Sequence, residues 1–397
     1  MWGLPDGHSL DFDSARLTNP YLTPSHEVWR MQLRRFIDKE IMPFAEEWDE
    51  AGWIPDALWP KAAEVGIFAV GYPEAYGGLS EGLDVWYGHI VQEELARIGA
   101  GGITAALSVH GISLPSVLKF ANEDIRQEVG PAVLSGEKRI SLAVTEPGAG
   151  SDVAQLTTTA TSDGEYYIVN GSKTYITGGM YSSWFSTAVR TGEKGARGVS
   201  VLLIPADLAG VTRTALDKKQ GWWASDTATI YFDNVRVPKA NLLGEENQGF
   251  KVIMNNFNLE RLGLVVNMEA YSRVCLAEAV EWAQQRKTFG KTLSEHQVIR
   301  HKIADMKQRI NATQAYLQTC TYQLEQGKPN AGDIAMLKVQ ASQTMEFCAR
   351  EAMQILGGIG YIRGSKVERL YREVRVNAIG GGSEEIMRDL ACRQYEV

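Results

Sequence analysis

The 397-residue sequence lacks a basic excess, with 40 Lys+Arg against 48 Asp+Glu and a formal net charge of −8, which excludes the basic stripe of a nucleic-acid binder. Its most apolar stretches, such as Ser200 to Pro205, fall far short of the roughly 20 residues that cross a bilayer, so no integral membrane segment is expected. Met1 to Gly7 has neither the basic start nor the apolar run of a signal peptide, and the chain turns acidic at Asp11 and Asp13. A cytoplasmic protein is expected. Cysteine is scarce: Cys275, Cys320, Cys348 and Cys392 lie far apart without a CxxC pair, which excludes a disulfide framework and a thiolate metal site and predicts buried, reduced thiols. The chain also has no internal repeat, no GxGxxG nicotinamide turn and no GK[ST] phosphate loop. What remains is a chain 44% apolar and 22% charged, ample for a core divided over two or three domains.

Its texture changes twice. From His26 to about Gly136 the period is helical: Val28, Met31, Phe36, Ile37, Ile41 and Phe44 recur at three- and four-residue steps, and Pro43 is placed to shift or break that helix. Further helices are predicted around Asp84 to Ile98 and Ile112 to Leu134. Near Arg139 short β-branched runs take over, at Ile140 to Thr145, Val199 to Ile204 and Ala228 to Val237. Tyr166 to Val169, Asn170-Gly171 and Lys173 to Thr177 read as a hairpin with a tight primed turn. After Gly249 the helical period returns, near Phe250 to Arg286, Leu293 to Gln326 and Asn330 to Leu356, as an antiparallel bundle requires. An α+β multidomain chain follows, with a helical domain over 1–138, a β domain over 139–249 and a helical domain over 250–397.

Val144-Thr-Glu-Pro-Gly-Ala-Gly-Ser-Asp152 ends a strand with hydroxyls and small residues. Gly148 and Gly150 remove side-chain obstruction, so backbone N–H groups there can approach a phosphate or a planar heterocycle. With this loop come, in order, Tyr175-Ile-Thr177, Ser225-Asp-Thr227 with Phe232 to Pro238, Gln285-Arg-Lys-Thr-Phe-Gly290, and Gln354-Ile-Leu-Gly-Gly-Ile-Gly-Tyr361. Together these five motifs resemble the acyl-CoA dehydrogenase family of flavoenzymes, over nearly the whole chain from about His26.

The resemblance implies an N-terminal helical domain, a central β-barrel-like domain and a C-terminal four-helix bundle, with FAD as cofactor. It places Val144, Thr145 and Gly150 along the flavin, Ser151 near the pyrophosphate and the substrate, Thr177 near flavin N5, and Tyr175 where the family often has a tryptophan against the ring. Arg286, Phe289, Gln297, Gln354, Gly357 and Gly358 would hold the adenosine and pyrophosphate half of a neighbouring subunit's cofactor, with Ser383 a further cofactor contact. A homo-oligomer, a dimer of dimers, is thereby implied. Electron-transfer flavoprotein is the implied electron acceptor, and fatty acid β-oxidation the implied setting. An arginine suits pyrophosphate because its fork is fixed and always charged.

Removing a proton from Cα of a thioester needs a positioned carboxylate and donors at the carbonyl oxygen where enolate charge develops. Many family members carry that glutamate in a C-terminal Tyr-Glu-Gly-Thr; this chain reads Ile379-Gly-Gly-Gly-Ser-Glu-Glu-Ile386, with Gly381 at the base position. The isovaleryl-CoA and long-chain branches place the glutamate on the first helix of the last domain instead, before an arginine. Asn258-Leu-Glu-Arg-Leu262 matches, which makes Glu260 the candidate base and Arg261 its neighbour. By the same resemblance the Gly381 N–H, with a ribityl hydroxyl of the flavin, donates to the thioester carbonyl, and Gly380 and Arg261 are substrate contacts. Glu384, Glu385 and Glu146 are the competing carboxylates.

The chain departs from the family pattern at Trp223, where an arginine is common, and at Gly178, where an asparagine is. Trp222 and Trp223 are read as packing or as the lining of a CoA entrance, and the small residues Gly101, Gly102, Ala105, Ala106 and Ser108 as room for a long or branched tail. The alternative functions are an acyl-CoA oxidase or another flavin-dependent reaction on the same scaffold, a nitroalkane oxidase or monooxygenase, or a non-catalytic acyl-CoA binder.

Overall fold

A computed structural model describes residues 10–397, and the reading of Met1 to Gly7 lies outside the described residues. Seven helices come first: α1 Pro24–Glu40, α2 Ala45–Ala51, α3 Leu58–Glu64, α4 Val85–Ala96, α5 Gly101–Ser108, α6 His110–Phe120 and α7 Glu123–Leu134. Seven strands follow: β1 Ile140–Ala143, β2 Thr159–Asp163, β3 Tyr166–Thr177, β4 Trp184–Arg190, β5 Val199–Pro205, β6 Val211–Ala215 and β7 Thr227–Pro238. The rest is helical apart from a two-stranded ribbon: α8 Gly249–Met254, α9 Phe257–Gln285, β8 Lys287–Thr288, β9 Lys291–Thr292, α10 Gln297–Glu325, α11 Ala331–Leu356, α12 Gly358–Tyr361, α13 Lys366–Ile379 and α14 Glu384–Gln394. The helical, β, helical order is the one read from the sequence.

By packing, the chain forms two compact units whose division falls inside α9, between Glu260 and Arg261. One unit takes the chain up to Glu46, Val85–Gly101 and Arg261–Val397. Its core is the bundle of α9, α10 and α11 with α13, where Leu262, Met268, Leu276, Ile310, Met345 and Leu370 are buried. α10 and α11 run antiparallel: Thr313 meets Thr344 at 2.9 Å, and Lys302, near the start of α10, pairs with Glu351, near the end of α11. Gln297 and Gln354 therefore share one end of the bundle.

This unit also buries charge. α1 turns His26, Arg30, Leu33 and Ile37 inward, while Val28 and Met31, expected on its apolar face, are 69% and 47% exposed. The displacement has an ionic cause. Arg30 donates to Glu93 at 2.7 Å and Glu94 at 3.3 Å on α4, and Arg273 on α9 donates to Glu93 and to Glu269. Burial alone would raise the Glu93 carboxyl, but Arg273, Arg30 and Arg16 hold it well below its ordinary range. The chain before α1 is laid onto the same seam, where Ala15 is fully buried, Leu17 exchanges two hydrogen bonds with Gln314, and Arg273 donates to the Phe12 carbonyl.

The second unit, Glu47–Asp84 with Gly102–Glu260, holds a curled seven-stranded sheet in the order β1-β4-β2-β3-β7-β6, with β5 paired to β4. Here the expected hairpin at Asn170-Gly171 is corrected. β3 runs unbroken through both residues, and the ladder to β7 shifts register between Val169 and Gly171. Gly171 is required for close approach: at φ +144° a Cβ would stand 2.7 Å from the Thr158 Cα. The actual hairpin joins β2 to β3 around Gly164, at φ +59°.

One stretch, Gly101–Phe120, does reach the length and apolarity of a bilayer span, contrary to expectation, but more than half of it is buried. It is two helices rather than one, and its serines are satisfied internally, Ser113 on Ser186 at 2.7 Å and Ser116 on the Val252 carbonyl at 3.2 Å. Three of the four cysteines are buried as expected; Cys392 is exposed on α14.

Candidate active site

In the sheet unit the loop after β1 is anchored by a buried ion pair. Lys173 on β3, with no exposed surface, donates to Glu146 at 2.7 Å and to the Val144 carbonyl at 3.0 Å. The other Glu146 acceptor sites take the Thr157 and Thr158 amides and the Thr157 hydroxyl at 2.6–2.9 Å. Burial by itself would raise the Glu146 carboxyl, but the Lys173 charge and these donors hold it at about 2. Burial pushes the Lys173 amine down to about 8, although Glu146 works against it. A carboxylate so engaged is a poor base, and Glu146 acts as a loop anchor.

Beyond it Glu146 and Ala149 exchange backbone hydrogen bonds, turning Gly148, Gly150 and Ser151 outward. A Cβ at Gly148 or Gly150 would meet nothing within 4 Å, so the loop borders open space. Tyr175 sits at an irregularity of β3 between Lys173 and Ile176, with φ +59°, and its side chain is 70% exposed.

Two residues on, the Thr177 carbonyl accepts from the fully buried Ser141 hydroxyl at 2.7 Å, and Ser141 also meets Ser182. Asp226 accepts the Met180 amide at 2.7 Å through its carboxylate and the Gly178 amide through its carbonyl. The departure at Gly178 has its reason here. Gly178 has φ +73°, and a Cβ there would stand 2.9 Å from the Ser141 hydroxyl. Sequence reasoning missed Ser141 and gave Asp226 no role beyond its place in the Ser225-Asp-Thr227 motif, because only the fold carries them behind Thr177.

Trp222 and Trp223 belong to a loop stitched to itself by Lys219, which donates to the Trp222 carbonyl at 2.7 Å while Trp223 donates to the Lys219 carbonyl. A Cβ at Gly102 would lie 3.0 Å from the Ala224 nitrogen, so that glycine admits the loop backbone rather than a substrate tail. Ala105, Ala106, Ser108, Gly111 and Ile112 stay partly accessible on α5 and α6. Asn256 donates to the Gly111 carbonyl at 2.7 Å, and Glu260, half-buried, follows one helical turn later with its amide on the Asn256 carbonyl. The candidate base is thus tied, within one unit, to α6, the helix that follows the small residues read as room for a tail.

In the bundle unit Arg261 is buried on α9 with its Nε 3.5 Å from the Gly381 carbonyl. Gly381 has φ +68°, and a Cβ there would press on the Leu264 Cδ1 at 2.7 Å. Both favour glycine and disfavour a long side chain at this position. Of the competing carboxylates, Glu384 is taken up by Ser342 at 2.7 Å, Gln343 and Arg388. Glu385 stands exposed in the first turn of α14, whose cap is Ser383.

The remaining predicted cofactor residues gather at the shared end of α9, α10 and α11, and all are exposed: Arg286, Phe289, Gln297, Gln354, Gly357 and Gly358. Phe289 and Gly290 form the two-residue turn of the β8–β9 ribbon, at φ +49° and +81°, and the Phe289 ring is 97% exposed. These residues fit FAD: an open glycine loop with hydroxyls, an exposed aromatic beside Thr177, and an exposed guanidinium beside an unsheltered ring.

Family models described as the N-terminal, middle and C-terminal domains of acyl-CoA dehydrogenase match residues 23–137, 141–235 and 247–395. Acyl-CoA dehydrogenase AFT10-1 of Alternaria alternata is 38% identical over 406 residues, covering 96% of this chain and 94% of that protein. The mitochondrial long-chain specific acyl-CoA dehydrogenase of Sus scrofa is 33% identical over 377 residues, covering 93% and 86%. The crystal structure of an acyl-CoA dehydrogenase from Geobacillus kaustophilus aligns with TM-score 0.91 at 34% identity, covering 96% of this chain and 100% of that one.

Proposed function

The chain belongs to the acyl-CoA dehydrogenase family of FAD-dependent oxidoreductases, and from that premise we propose that it converts an acyl-CoA thioester to the trans-2-enoyl-CoA with Glu260 as the base. Bound FAD supplies the hydride acceptor for Cβ. Glu260 takes the Cα proton, and the Gly381 amide donates to the thioester oxygen, so that the acid is strengthened from one chain segment and deprotonated from another. Glycine at 381 carries this reading: its positive φ and the neighbouring Leu264 suit a residue that offers only its backbone, which leaves the carboxylate to α9.

On this reading Val144, Thr145, Gly150, Ser151, Tyr175 and Thr177 hold the flavin half of the cofactor. Arg286, Phe289, Gln297, Gln354, Gly357, Gly358 and Ser383 hold the other half, donated across a homo-oligomer. Ser151, Arg261 and Gly380 contact the substrate. Electron-transfer flavoprotein takes the electrons, and the three buried, unbridged thiols suit a cytoplasmic setting. Anaerobic titration with straight, branched and aromatic acyl-CoAs tests the assignment and ranks the acyl group. Bleaching with reduction of electron-transfer flavoprotein is expected; peroxide formation in air without such reduction would make the protein an oxidase.

The ribbon tip gives a separate expectation. A ring 97% exposed supports little in its own chain, so Phe289→Ala should change the unfolding free energy of apoprotein by less than about 0.5 kcal/mol. It should nonetheless lower the ratio of flavin to protein absorbance severalfold after gel filtration. An unchanged ratio would remove Phe289 from the cofactor site.

A further inference from the structure

α11 carries a lysine where a helix packed on both sides has little use for one. Lys338 has no exposed surface, and its neighbours on the face toward α14, Ala335 and Val339, pack with Met387 and Ala391 in an apolar cluster that docks α14 without it. Burying an ammonium is costly unless the charge is engaged. Its engagement is specific: Nζ donates to the Gly382 carbonyl at 2.7 Å. Its charge also acts on Glu385, while Ser342, one turn further along α11, takes Glu384 at 2.7 Å.

The consequence lies in the peptide groups between α13 and α14. The Gly380 amide is tethered to the Val376 carbonyl at 2.7 Å, the Gly381 carbonyl faces Arg261 and the Gly382 carbonyl is held by Lys338. Between these lies the peptide joining Gly380 to Gly381, and among the described residues neither its oxygen nor its N–H has a hydrogen-bond partner. A run of three glycines, two at φ +68° and +104°, would otherwise sample many conformations. We propose that Lys338 is a positioning residue for the reaction, its buried ammonium on the Gly382 carbonyl fixing the triglycine loop so that the untethered Gly381 N–H is presented to the thioester oxygen.

This rests on the reading of Gly381 as the polarising donor, and the test separates the two. Acetoacetyl-CoA is the probe, because its enolate beside oxidised flavin gives a long-wavelength charge-transfer absorbance whose pH midpoint reports how strongly the site stabilises an enolate. In the holoenzyme that midpoint should lie below that of free acetoacetyl-CoA; if it does not, the Gly381 reading fails before Lys338 is touched. In Lys338→Met, with flavin content unchanged, the midpoint should rise by about one pH unit, the tenfold weakening expected of a donor that is present but misaimed. A midpoint unchanged from the unsubstituted enzyme would overturn the proposal and leave Lys338 a packing residue. Should Lys338→Met fail to fold, Lys338→Gln decides by the same measurement, since its amide is one bond too short to reach the same carbonyl.

Discussion

Glu260→Gln should keep its flavin and fold and lose the reaction. The substitution preserves shape at a half-buried position in the first turn of α9, so the yellow colour and acyl-CoA affinity should be retained. What disappears is the group proposed to accept the Cα proton. General-base catalysis is worth roughly 10²- to 10⁴-fold, and a glutamine cannot substitute for it, so the rate of anaerobic bleaching should fall by about a thousandfold or more. Stopped-flow absorbance under excess acyl-CoA measures this directly. Bleaching at the unsubstituted rate would return the base to another carboxylate. Glu146 and Glu384 would be poor heirs, since each is already committed to several donors.

Glu146→Gln should cost stability more than any other single change discussed. It leaves the buried Lys173 ammonium with the Val144 carbonyl but without its carboxylate, and breaking a buried pair from one side typically costs about 3–5 kcal/mol. Because Val144 and Thr145 hang on the same anchor, flavin retention should fall with it. Denaturant unfolding of Glu146→Gln and of the double variant Glu146→Gln/Lys173→Met distinguishes stranded charge from lost packing: the double variant should recover much of the loss, since no uncompensated ion remains. If it recovers nothing, the pair is not the anchor. The pH dependence follows from the same carboxylate. Its folded value of about 2 lies below its ordinary 4.5, so its contribution is complete above pH 4.5 and drains away as pH falls from there toward 2.

The long elements were legible because burial there follows period. α9, α10 and α11 lie within a few residues of the segments read from the helical repeat, and β5 and β7 from runs of β-branched residues. β4 was not, because Trp184 to Arg190 mixes Ser186 and Thr187 into a strand buried from Trp184 to Val189 without alternation, the Ser186 hydroxyl accepting from Ser113 on α6 and the Thr187 hydroxyl donating to the Phe185 carbonyl of its own strand. α5 hid behind two glycines, one of which makes room for a loop more than a hundred residues on. Asn170-Gly171 carried the strongest local turn signal in the chain and lost to a ladder on each side of β3.

At the site, the loop chemistry of residues 144–152 and the empty position at 381 could be read directly, and the motifs supplied candidates for the rest. Lys338 and Ser141 could not be found that way, and Asp226 stood in a motif without its role being visible. A lysine in a helix looks like solvated surface until the carbonyl it serves arrives from 44 residues away.

The segment ahead of α1 shows where similarity and architecture part. The matched N-terminal family region begins at residue 23, yet Ala15 is buried in the bundle unit, and the half-buried Arg16 and Leu17 bond to Glu93 and Gln314 within it. An excision planned on homology alone would cut through masonry rather than trim a loose thread, since the opening dozen described residues close a wall whose other stones come from both halves of the chain.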